Sequence, residues 1–192
     1  MVDFGTSVAS AWSSGLSMWA VAAILGIGGR LDWVDSPSFV QRPWVIAVAL
    51  AMAVAEVVVD KFPYVDSTWD AVHTALRPLA GALLLGSSDV SVANGVLLLV
   101  GGLLALSSHA AKASTRLLVN ASPEPLSNLA LSLSEDGLVA VLMALALGYP
   151  RIALAVTLVL TVGSIAVVVV ALRVIRRAWR KRRRRRQRRS AE

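Results

Sequence analysis

Ile152-Ala-Leu-Ala-Val-Thr-Leu-Val-Leu-Thr-Val-Gly-Ser-Ile-Ala-Val-Val-Val-Val-Ala-Leu172 is 21 residues without a charge. At 1.5 Å per helical residue it is long enough to cross a hydrocarbon core of roughly 30 Å. Arg173, Arg176, Arg177, Arg180 and Lys181 follow at once, and then Arg182, Arg183, Arg184, Arg185, Arg186, Arg188 and Arg189. A span running into a block of basic residues predicts a membrane helix whose basic end stays in the cytoplasm.

Shorter apolar runs lie upstream at Val45–Val59, Val96–Leu106 and Leu138–Leu147. The 192 residues are 56% hydrophobic and 16% charged, with mean hydropathy +0.68. A soluble domain carries about 25% charged residues. The reading is an all-α polytopic transmembrane bundle over residues 1–175, with an Arg-rich, disordered cytoplasmic tail at 176–192. No Lys or Arg precedes the first apolar run, so no cleavable signal peptide is expected. The chain has no cysteine, which excludes disulfides, thiolate metal sites and a cysteine nucleophile.

The net charge of +7 hides an asymmetry. From Arg173 onward stand twelve Lys/Arg and one acid; the rest of the chain holds seven Lys/Arg and eleven acids. Such a cluster beside a span attracts anionic headgroups at about 1 kcal/mol per basic residue. Arg182–Arg186, Arg188 and Arg189 are therefore assigned to anionic lipid, and nucleic acid is not an expected partner. The expected setting is the inner (plasma) membrane, and a homo-oligomer is compatible with the sequence.

Proline, glycine and polar punctuation divide the chain into six helices: 6–29, 43–61, 66–85, 90–119, 127–147 and 151 onward. The third, with Pro78 inside, reads as a kinked span or a re-entrant segment. Six crossings would place both termini on one side. Each half has a glycine-containing first helix, a Ser-Pro loop (Ser36-Pro37, Ser122-Pro123) and a second helix bearing acids. That likeness suggests two inverted three-helix repeats, a common transporter plan.

Ionisable residues crowd the middle of the chain. Asp66, Asp70, His73 and Arg77 share one helical stripe at i, i+4, i+7 and i+11, and His109, Lys112 and Arg116 form a second. Glu56 and Asp60 stand one turn apart; Glu135 and Asp136 point to adjacent faces, so one of them at most enters a shared site. Charges at bilayer depth are costly and usually face a bundle interior or a hydrated cavity. The leading expectation is a transport or permeation protein with a charged intramembrane cavity for a small polar or charged solute. Its lining would be Glu56, Asp60, Asp66, Asp70, His73, Arg77, His109, Lys112, Arg116, Glu135 and Asp136. An enzyme is the less favoured class. In that alternative the acid pairs hold Mg²⁺ against a phosphorylated lipid; otherwise no cofactor or metal is expected. A third possibility is a structural or assembly subunit whose ion pairs staple helices. No P-loop, GxSxG, HExxH or dinucleotide fingerprint is present.

The string Glu56-(x)3-Asp60-Lys61-Phe-Pro63-Tyr-Val-Asp66-Ser-(x)-Trp69-Asp70-Ala-Val-His73-Thr-(x)2-Arg77-Pro-(x)-Ala-Gly81-Ala resembles a bacterial family of integral membrane proteins known as domain of unknown function 4126. His109-(x)2-Lys112-Ala-(x)2-Arg116, Asn120-(x)-Ser-Pro-Glu-Pro-(x)-Ser-Asn128 and Ser134-Glu135-Asp136 extend the likeness. The resemblance implies a multi-span protein and carries over neither an activity nor catalytic residues.

Overall fold

The computed structural model describes residues 2–59, 63–88, 94–119 and 125–189, with side chains throughout except at 63–68, 70, 94, 125–128, 178 and 181–189. Six helices follow in order: α1 (Phe4–Arg30), α2 (Pro43–Val59), α3 (Pro63–Gly86), α4 (Asn94–Val119), α5 (Pro125–Gly148) and α6 (Pro150–Arg189). Four of them begin at a proline, whose fixed φ and missing N–H suit the first turn. α1 is started by Asp3, whose Oδ1 accepts from the N–H groups of Gly5 (2.8 Å) and Thr6 (3.3 Å), a standard N-cap. α6 continues without a break to Arg189, so no change of backbone conformation marks the start of the basic tail.

Among the described residues, four helices are long and apolar enough to cross a membrane: α1, α4, α5 and the Pro150–Arg177 part of α6. Their burial is graded. In the most apolar window of α1, 78% of residues are buried; in that of α6, 17%. The serine-rich helix is therefore the centre, and the Val/Leu-rich helix faces outward, with Val159 and Val162 largely exposed. Lipid is as apolar as leucine, so bundles of this kind are held by close backbone approach and polar contacts. Accordingly Gly15 lies against the Ala105 carbonyl and Ser108, and Gly81 meets Gly101 and the Ala11 carbonyl, bringing α1, α3 and α4 together backbone to backbone.

Contacts along α1 fix the direction of every other helix. Ser108 Oγ donates to Trp12 O (2.6 Å) and Lys112 Nζ to Leu16 O (3.1 Å), so α4 runs parallel to α1. An inverted repeat requires these two helices to run in opposite directions, and that expectation is not met. Ser88, just past α3, bridges to Val2, and His73 meets Trp19, so α3 runs against α1. Thr6 Oγ1 donates to Ala146 O (2.9 Å), and Ser10 lies by Met143, so α5 also runs against it. α6 starts beside Gly5 and runs back along α1, α4 and α5.

α2 departs from the six-crossing plan. Ile46 packs on Gly26 and Glu56 reaches Ser17, so α2 starts at the C-terminal end of α1 and stops near its middle. α3 runs in the same sense, with His73 beside Trp19 and Ser88, just past its end, beside Val2. Among the described residues, α2 and α3 together carry the chain once from one end of the bundle to the other, so with α1, α4, α5 and α6 it passes along the bundle five times, and the start of α1 and the end of α6 lie at opposite ends. The sequence expectation of termini on one side is corrected. Counting apolar runs gives the number of helices but not their directions, and Glu56 is held at mid-depth by the polar groups described below. The same arrangement places Arg30 and Arg42 at the end from which the basic tail emerges, with Arg151 at the other. Reporter fusions at residue 2 and at the C-terminus should therefore report opposite sides of the membrane; the same side for both would contradict the five-crossing path.

Candidate functional site

The site begins with a fault in α1. Ser17 has extended backbone angles (φ −147°, ψ 95°) inside an otherwise helical run, dividing α1 into two half-helices at its midpoint. Each exposed end meets the charge that its dipole favours. At the end of the first half, Leu16 O accepts from Lys112 Nζ at 3.1 Å. At the start of the second half, Ser17 Oγ donates to Glu56 Oε2 at 2.6 Å and accepts from the Ala20 N–H at 3.4 Å. Serine is a favoured N-cap because its hydroxyl oxygen accepts from an N–H of the first turn, and its proton remains free to donate to Glu56.

From Glu56 the contacts spread across three more helices. Arg77 Nη2 of α3 donates to Glu56 Oε1 at 2.6 Å, with side-chain exposures of 0% and 3%. Arg77 Nη1 lies 2.7 Å from His109 Nδ1 on α4. Guanidinium nitrogens only donate, so Nδ1 is the acceptor, the His109 proton sits on Nε2, and that N–H donates to Thr74 Oγ1 at 3.1 Å. Lys112 Nζ stands between two carboxylates, 3.8 Å from Glu56 Oε1 and 3.6 Å from Glu135 Oε2 on α5. Arg116 Nη2 closes the series on Glu135 Oε2 at 2.6 Å. Lys112 thus joins the Glu56–Arg77 pair to the Glu135–Arg116 pair, and it does so at the break in α1.

Six of the eleven residues expected to share a site are brought together: Glu56, Arg77, His109, Lys112, Arg116 and Glu135. Of the neighbouring acids Glu135 and Asp136, Glu135 enters the cluster; Asp136 is half-buried on the next face. His73 sits beside the cluster. Its Nε2 accepts from Trp19 Nε1 at 3.0 Å, its Nδ1 lies 2.8 Å from Trp69 O, and the Trp69 ring stacks on it at 4.5 Å. An indole N–H only donates, so the His73 proton is on Nδ1 and both ring nitrogens are engaged. Asp60 lies outside the described residues, as do the side chains of Asp66, Asp70 and Arg182–Arg189.

Glu56 Oε1 and Oε2 are taken by Arg77 and Ser17, so this carboxylate is not presented to a metal in this arrangement. Among the described residues no three His, Cys, Asp or Glu side chains converge as a metal site. Ser17, the Leu16 carbonyl, Trp19 and Thr74 were not singled out from the sequence. A signal for the first was available: Thr6, Ser10, Ser13 and Ser17 repeat at helical spacing within a span, where polar residues mark interior faces.

The family described as domain of unknown function (DUF4126) matches residues 4–172. This chain belongs to the DUF4126 family. The match covers α1 to α5 and the apolar part of α6, including every described residue of the cluster, and stops before Arg173. Family membership assigns no activity. No curated protein and no solved structure matches the chain.

Proposed function

We propose that this DUF4126 protein moves a small polar or charged solute across the membrane, using the Glu56–Lys112–Glu135 cluster as its gate and binding locus. The observation that carries the reading is the break at Ser17. Discontinuous spans that aim a half-helix N-terminus at an anion and a half-helix C-terminus at a cation are a recurrent way of building solute and ion sites at mid-membrane. Here Glu56 and Lys112 occupy those two positions. An incoming anionic group would compete with Glu56 for Arg77 and Ser17, and an incoming cation with Lys112 for Leu16 O and the two carboxylates.

One observation favours a second reading. Glu56, Arg77 and Lys112 have side-chain exposures of 3% or less and pair with one another, as a purely structural staple would. Transport requires a second arrangement in which these pairs part. The test is charge movement by protein in proteoliposomes on a solid-supported membrane, challenged in turn with protons, alkali cations, amino acids and sugar phosphates. Transport predicts a transient for at least one solute that Lys112→Gln and Glu135→Gln reduce severely. Currents equal to protein-free membranes for the whole panel support the staple. An enzyme using the Glu56/Asp60 pair on Mg²⁺ would first have to release Glu56 from Arg77 and Ser17.

We propose further that the tail end faces the cytoplasm at the inner (plasma) membrane, where Arg30, Arg42 and Arg173–Arg189 together satisfy the positive-inside bias. The tail would bind anionic headgroups by charge. Replacing Arg182–Arg186, Arg188 and Arg189 by Lys should then leave co-sedimentation of the detergent-solubilised protein with phosphatidylglycerol vesicles nearly intact. Replacing them by Gln should weaken it and steepen its loss with salt. A Lys variant as defective as the Gln variant would point to a reader of guanidinium groups instead.

A further inference from the structure

Thr6, Ser10, Ser13 and Ser17 stand at i, i+4, i+7 and i+11 on α1, one stripe at 100° per residue. The stripe starts beside Asp3, the exposed cap of α1, and ends on Glu56 through the 2.6 Å bond from Ser17. Its hydroxyls are buried, but they are not all satisfied. Ser13 Oγ has no hydrogen-bond partner although the residue is 0% exposed. Ser10 Oγ has only the thioether of Met143, at 3.8 Å, a weak acceptor. On the neighbouring face Ser14 turns its hydroxyl back to Ala11 O at 2.7 Å, while Ser7 Oγ, like Ser13 Oγ, has no partner.

A buried hydroxyl without a partner ordinarily marks an ordered water. Residues one helical turn apart are about 5–6 Å apart, close to the span of one water hydrogen-bonded on both sides at about 2.8 Å. Met143 lies over the row; it is unbranched and flexible, so it can yield where a β-branched residue would not. A dehydrated metal cation needs several oxygens at one level, whereas this row offers one per turn, which suits water and protons.

We infer that Thr6, Ser10, Ser13 and Ser17 form a water-binding row that gives protons access to Glu56 from the N-terminal end of the bundle. It rests on the transport reading only in making the proton the coupling or transported species; the presence of water can be tested without any flux.

The absence of cysteine makes that test direct. Ser10→Cys and Ser13→Cys change one atom each, and Val8→Cys places a thiol on the opposite, equally buried face of α1. In sealed vesicles, Ag⁺ is added on the side of the N-terminus, and the surviving thiol is counted after denaturation by maleimide mass labelling. Modification of the two row positions at least about tenfold faster than position 8 is expected, because a thiol sealed from water is inert. Equal rates at all three positions would overturn the row. The second measurement is proton flux through wild type and Ser13→Leu, which plugs the row. Reactive row thiols with wild-type flux no greater than in empty vesicles would leave the water row standing and overturn proton transport. Unreactive row thiols with a clear flux would overturn the row and leave transport standing. A Ser13→Leu protein that keeps its helical content and full flux would overturn the row as the proton path.

Discussion

Glu56→Gln is expected to cause the largest loss of stability of any single charge removal among the described residues. The substitution keeps the size of the side chain and removes the charge that holds Arg77 at 2.6 Å. Arg77 is 0% exposed, so it cannot recover the loss from solvent. Removing one member of a buried pair typically costs about 3–5 kcal/mol, while replacing both members by apolar residues is often neutral. Glu56→Leu combined with Arg77→Met should therefore recover much of what Glu56→Gln loses. The measurement is equilibrium or thermal unfolding in detergent for both single variants and the double variant, read as a cycle. A Glu56→Gln protein that unfolds within about 1 kcal/mol of wild type would mean that water already screens the site, since exposed pairs are worth only that much. It would therefore count against a dry, ion-paired cluster, whether that cluster is a closed gate or a staple.

The parts of this arrangement that could be read from the sequence are the ones that rest on local chemistry. A 21-residue uncharged run admits one interpretation. Pro43 opens a helix where a missing N–H is harmless, as expected; the helices expected to open at 66, 127 and 151 open instead at Pro63, Pro125 and Pro150. Helical spacing puts His73 and Arg77 on one face of α3 and His109, Lys112 and Arg116 on one face of α4. What could not be read is long-range. Nothing local distinguishes a helix that crosses from one that stops halfway, as α2 does when Glu56 is captured by Ser17. The direction of α4 relative to α1 follows from which backbone carbonyls Ser108 and Lys112 reach, a fact of packing rather than periodicity. The break at Ser17 is similar: the residue has good helix neighbours on both sides, and only Lys112 and Glu56, distant in sequence, compensate the half-helix ends. Here tertiary contacts override local propensity, and they do so at the one place where the charged residues converge.

Gly15→Ala should be nearly as damaging although it adds a single methyl group. A Cβ at Gly15 would fall on the Ala105 carbonyl and on Ser108 Oγ. The hydroxyl can rotate away; the carbonyl belongs to the α4 backbone and can move only if the two helices separate. Overpacking of this kind commonly costs about 1–3 kcal/mol and sometimes more. The consequence also reaches the site, because Leu16, the acceptor of Lys112, is the next residue on α1. Pushing α1 from α4 lengthens that 3.1 Å bond and loosens the cation that joins Glu56 to Glu135. Gly137→Ala supplies the control. Nothing lies within 4 Å of its added Cβ, so only the helix preference of alanine over glycine remains, a gain of up to about 1 kcal/mol. Unfolding of the two variants should therefore shift in opposite directions, with Gly15→Ala also impaired in any charge movement that the wild type supports. Equal stabilities for the two would mean that α1 and α4 do not meet backbone to backbone, and the contact that sets the parallel direction of these helices would have to be abandoned with it.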